Sequence, residues 1–165
     1  MGRRPRARIS RTRRGTYALR LPEAERDLLA NLVEQLRELL QLTTDDPSVR
    51  RLFPTAYHDD PERDREYQQL ARDELLERRL AAVDTVAATA TAEELDAEQL
   101  TGWLTALNDL RLVLGTRLDV SEDQGALDED DPDAPALAVY GYLSGLLNDV
   151  VDALAEDLPP AEPDM

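Results

Sequence analysis

The chain has 165 residues, a net charge of −16 and 42% hydrophobic residues, with one Trp, one Phe, no cysteine and no lysine. The missing cysteine excludes thiol catalysis, disulfide switching and cysteine-held zinc or iron, and the missing lysine excludes a P-loop lysine, a Schiff base and a lysine general base. Charge is segregated: residues 1–20 carry eight arginines and no acid, whereas the rest carries eleven arginines against thirty-five acids, a division of +8 and −24.

Residues 1–6 read as a disordered basic tail. Ile9, Tyr17, Leu19 and Leu21 alternate with polar or small residues around Gly15, which predicts a short antiparallel hairpin over 7–21. A lone hairpin is marginal in water, so it must pack on the rest of the chain. Pro22 opens a helix with Glu23 and Glu25 beside its positive end, and Leu28, Leu29, Leu32, Val33, Leu36, Leu39 and Leu40 recur at helical spacing to Leu42. Asp46-Pro47 starts a short turn of helix through Val49 and Leu52, closed by Phe53-Pro54. Asp60-Pro61 starts another helix reaching about Ala88.

Two strings, Thr91-Ala92-Glu93-Glu94 and Asp96-Ala97-Glu98-Gln99, have capping-box spacing. A long helix runs from one of them to Leu118, with Leu100, Trp103, Leu104, Leu107, Leu110, Leu114 and Leu118 on one stripe. Residues 121–135 read as an acidic linker, because seven of the first thirteen are acids and Pro132 and Pro135 close it. The last helix is expected from about Ala136 to Ala155, where Gly141 and Gly145 would admit a neighbouring helix. Residues 156–165 read as a disordered tail. The expectation is one mainly α domain over 7–155, a bundle of four main helices carrying the hairpin.

Arg111 falls inside the leucine arc of its helix, and Glu74 has the matching oddity on the preceding helix beside Leu70 and Tyr67. A buried charge is expensive unless paired, which predicts a structural Arg111–Glu74 ion pair fixing helix register. A Glu74–Arg78 surface pair, or Arg111 acting as a clamp for an anionic ligand, are the alternatives. His58, the one histidine, reads as a loop residue near a helix start. Asp119-Val120-Ser121-Glu122-Asp123-Gln124-Gly125 approximates a calcium loop, but its glycine is one place late and Asp130 stands at the twelfth position. No cofactor and no metal site is expected. The chain also lacks the roughly 20 consecutive apolar residues of a membrane span and any secretory signal, so a cytoplasmic protein is expected. Arg8, Arg11, Arg13 and Arg14, with Tyr17 among them, form the candidate contact surface for an acidic protein or for DNA.

The strings Leu52-Phe53-Pro54-Thr55-Ala56-Tyr57 and Trp103-Leu104-Thr105-Ala106-Leu107-Asn108-Asp109-Leu110-Arg111-Leu112-Val113-Leu114-Gly115-Thr116-Arg117-Leu118 resemble an actinobacterial family of unknown function, typically encoded beside the adaptor of the Clp protease. The resemblance covers residues 7–155. It implies a regulatory protein, since some relatives are described as oxidative-stress regulators that act with a sigma factor through a cysteine pair. Without cysteine, disulfide sensing does not carry over to this chain. The expectation is therefore a non-enzymatic cytosolic regulator whose partner is the transcription machinery, an acidic protein or DNA. An accessory factor of Clp-dependent proteolysis and a small-ligand-binding helical domain are the alternatives.

Overall fold

A computed structural model describes residues 7–42, 47–50, 52, 53, 61–118 and 132–156. The hairpin forms as β1 (Ile9–Arg11) and β2 (Tyr17–Leu19), in the register Ile9↔Leu19, Ser10↔Ala18, Arg11↔Tyr17. Its turn is closed by the Thr12 and Thr16 backbones at 2.8 Å, and Gly15 adopts φ +84°, a conformation that side chains with a Cβ rarely take. Ile9, Tyr17 and Leu19 all point to one buried face, as the alternation requires.

A third strand, β3 (Glu94–Leu95), pairs antiparallel with β2 and makes β2 the centre of a three-stranded sheet. Sequence reading offered Thr91–Glu94 as a helix cap, but Glu94 and Leu95 form the strand because Leu95 fills the core beside Tyr17. The capping box is the second string. The Gln99 amide donates to Asp96 Oδ1 at 2.7 Å and the Asp96 amide donates to Gln99 Oε1 at 2.9 Å.

The helices are α1 (Glu23–Leu42), α2 (Pro47–Arg50), α3 (Pro61–Thr89), α4 (Ala97–Leu118) and α5 (Ala134–Ala155). Helix α4 lies centrally, packed along α3 on one side and α5 on the other, while α1 leans mainly on α3. Helix α3 approaches α4 tightly at Gly102, where an added Cβ would stand 2.9 Å from Thr85 Cγ2. Beside it, the fully buried Trp103 donates its indole N–H to Thr89 Oγ1 at 2.7 Å, and that hydroxyl donates to the Thr85 carbonyl at 2.6 Å.

Three expectations need correction. Helix α5 begins at Ala134, so Pro135 occupies its first turn, the position where a missing N–H costs least, and does not close a linker. Gly141 meets nothing within 4 Å, and Gly145 faces the Arg8 guanidinium, so neither admits a helix. The buried face of α4 is Leu100, Trp103, Ala106, Leu107, Asp109, Leu110 and Val113, with Leu104 and Leu114 only partly covered. The terminal tails at 1–6 and 157–165, His58, the Asp119–Gly125 string and the linker to residue 131 lie outside the described residues.

Candidate functional site

The hairpin divides its arginines into two groups. Arg8 turns inward: its Nε donates to Asp149 Oδ2 of α5 at 2.7 Å, its guanidinium lies 5.5 Å from the Tyr142 ring centroid, and it rests on the space Gly145 leaves. Arg20 donates to the Ala7 carbonyl and to Ser10 Oγ, bracing the hairpin itself. Tyr17 is fully buried, which corrects the expectation that it reaches a partner: the alternation that marks it as strand also marks it as core.

The remaining group sits at the hairpin tip. Arg11, Arg13 and Arg14 are all exposed. Arg14 donates to both Glu94 oxygens at 3.0 and 3.2 Å, yet its side chain stays 79% exposed. The Thr16 hydroxyl bond first, then the Arg14 guanidinium, hold the Glu94 carboxyl below the usual carboxylate range. Arg13 makes no ion pair or hydrogen bond among the described residues.

The expected pairing of Arg111 with Glu74 is replaced by another. Glu74 is exposed, on the face of α3 that presents Tyr67 and Leu70 to solvent at 63% and 67% exposure. Arg111 is partly buried and donates to Asn108 Oδ1 at 3.4 Å. The buried cross-helix ion pair joins Arg79 of α3 to Asp109 of α4, with the Arg79 Nε also on the Leu52 carbonyl beyond α2. Asp109 is completely buried and its Oδ2 has no hydrogen-bond partner among the described residues; burial raises its pKa against the opposing pull of Arg79.

Sequence reading also missed Arg26, which binds four backbone carbonyls: Leu19 and Leu21 at 2.9 Å each, Ala90 at 2.9 Å and Ala92 at 2.7 Å. One side chain thereby ties β2, the start of α1 and the α3–β3 turn together. The signal was present, because a cation in the first turn of a helix opposes the dipole and needs another reason to be there.

A cleft of about 380 Å³ opens between α1 and the α4–α5 pair. Leu36, Leu110, Val113 and Leu143 make a buried floor, and Gln35, Glu38 and Arg117 stand exposed at its mouth. Arg111, the guanidinium expected for a ligand clamp, does not line it. Among the described residues, no three His, Asp or Glu side chains are grouped to hold a metal ion, and no helix is long and apolar enough to cross a membrane.

Fold and surface together define a mainly helical protein with a small antiparallel sheet, an exposed arginine tip and an apolar cleft. The chain belongs to the family described as Domain of unknown function (DUF2017), whose model matches residues 5–154. No curated protein and no solved structure matches it.

Proposed function

We propose that this chain is a non-enzymatic regulatory protein that recognises an acidic surface on a partner protein through the hairpin tip. The observation that carries this reading is the exposure of Arg11, Arg13 and Arg14 on one tight turn, with Arg13 bound to no group among the described residues. The hairpin is held by Arg8 on α5 and by β3 along β2, so the backbone that carries these arginines is already in place and little main-chain ordering entropy is lost on contact. The likeness to an actinobacterial family encoded beside the Clp adaptor, with relatives described as transcription regulators, supplies two candidate partners: a sigma factor and the Clp adaptor. The chain carries no cysteine, so its signal is not a disulfide.

The body of the chain is strongly acidic and repels a polyanion beyond the tip, which favours a protein over DNA. The test immobilises the full chain and measures binding of a sigma factor, of the Clp adaptor and of a random DNA duplex over a salt series. Double substitution Arg13→Gln with Arg14→Gln should abolish salt-sensitive protein binding and leave the thermal transition in place. Equal binding by the double variant would remove the tip from the function, and tighter binding to duplex than to either protein would make nucleic acid the partner.

A further inference from the structure

The cleft lies where α1, α4 and α5 meet. On another face of α1, Arg37 bonds Glu34 on its own helix and Asp84 of α3. The gap above α4 is floored by side chains that the fold keeps nearly dry: Leu36, Leu110, Val113 and Leu143 are 2%, 7%, 8% and 1% exposed. At about 380 Å³ the space falls within the range of small-molecule sites, roughly 300–1,000 Å³.

Its chemistry selects a ligand class. An apolar floor offers nothing to a sugar or a base, so the body of the ligand is hydrocarbon. The mouth offers the Gln35 amide and the Arg117 guanidinium as donors. Arg117 already holds a contact of its own, but a guanidinium has five N–H donors and can serve a second acceptor. Glu38 at the same mouth repels a doubly charged phosphate about twice as strongly as a single carboxylate, so a singly charged head is the one that Arg117 can offset. We infer that the cleft binds an aliphatic monocarboxylate, its chain on the leucine–valine floor and its head at Gln35 and Arg117. This inference is independent of the hairpin reading, since no hairpin residue lines the cleft.

The test is calorimetric titration of the full chain with dodecanoate and dodecyltrimethylammonium below their micellar concentrations and with dodecanol below its solubility limit. Dodecanoate should bind saturably at one site. Arg117→Gln should weaken dodecanoate by about tenfold while leaving dodecanol within error, the effect expected for loss of one charged hydrogen bond. Val113→Phe fills the floor and should abolish both. Leu32→Glu, on the partly exposed wall, should reject dodecanoate even if the phenylalanine variant fails to fold. Absence of dodecanoate binding, binding untouched by Leu32→Glu, or tighter binding of the ammonium would each overturn the inference.

Discussion

Replacing Arg26 with methionine keeps the aliphatic stem and removes every donor from four carbonyls that converge on one guanidinium. A hydrogen bond from a charged group contributes about 1.5–3 kcal/mol, so four would sum to roughly 6–12 kcal/mol if each carbonyl stayed dry. They do not stay dry, because Arg26 is only partly buried and water enters once the side chain is shortened. Single substitutions also rarely exceed about 4–5 kcal/mol. The expected loss is therefore about 3–4 kcal/mol, which for a chain of this size lowers Tm by about 10 °C. Urea titration followed by circular dichroism reads it as a lower midpoint with an unchanged slope. Arg26→Lys separates geometry from charge: an ammonium keeps the charge but concentrates its donors at one point, so it should lose more than half of what methionine loses. A cost under about 1 kcal/mol for methionine, or a lysine variant equal to wild type, would refute the four-carbonyl account.

Asp109→Asn should change the pH dependence of stability. Burial raises the native Asp109 pKa above its ordinary 3.8, so the folded state holds this proton more tightly than the unfolded chain does. The resulting stability is complete below 3.8 and fades as pH rises through the native value, so wild type should lose ground to the asparagine variant from acid to neutral pH. Urea midpoints of the two proteins across that span check it, and a constant difference would dismiss the buried carboxyl as the cause. Gly15→Ala forces a Cβ into φ +84° and should cost about 1 kcal/mol by thermal denaturation, with Gly15→Asn costing less. Gly102→Ala brings its methyl to 2.9 Å from Thr85 Cγ2 and should destabilise by about 1–3 kcal/mol despite the better helix propensity. In a Thr85→Ala background the same change should become neutral or stabilising, and a double-mutant cycle with no coupling would contradict the contact.

The helices were legible because their ends carry local chemistry. Pro22, Asp46-Pro47, Asp60-Pro61 and the Asp96–Gln99 box each mark a start that tertiary packing had no reason to override. The face of α4 was not legible from leucines alone. The arc of Leu100, Leu104, Leu107, Leu114 and Leu118 took in Arg111, whereas the buried face centres on Trp103, Ala106, Leu110 and Val113, about a quarter turn away at 100° per residue. Small residues decide this, because Ala106 and Gly102 lie where α4 is approached by its neighbours, and hydropathy ranks them below leucine. The same rotation carries Asp109 into the core and moves Arg111 to its edge. The idea of a cross-helix ion pair was thus sound, but the acid was on α4 and the arginine on α3. Arg26 was hidden for another reason: its partners are backbone carbonyls, and no side-chain pattern announces them.

Arginine has distinct duties in this lysine-free chain, and they bear on how the hairpin is used. Arg26 spreads its donors over four carbonyls, Arg79 spans an acid on α4 and a carbonyl beyond α2, and Arg8 stacks on Tyr142 while bonding Asp149. Each needs a planar fork with several donors, which a point-like ammonium does not offer. Arg8 and Arg26 both anchor the end of the sheet remote from the tip, one to α5 and one to the α1 and α3 termini. A two-stranded ribbon alone is marginally stable, so these anchors, β3, and the Arg14 and Thr16 bonds to Glu94 nearer the tip are what hold the hairpin. On the proposed function, the described N-terminal arginines therefore divide the labour: Arg8 holds the hairpin on which Arg11, Arg13 and Arg14 meet a partner. Loosening Arg8 would then weaken recognition through added ordering entropy, without removing a single contact from the interface.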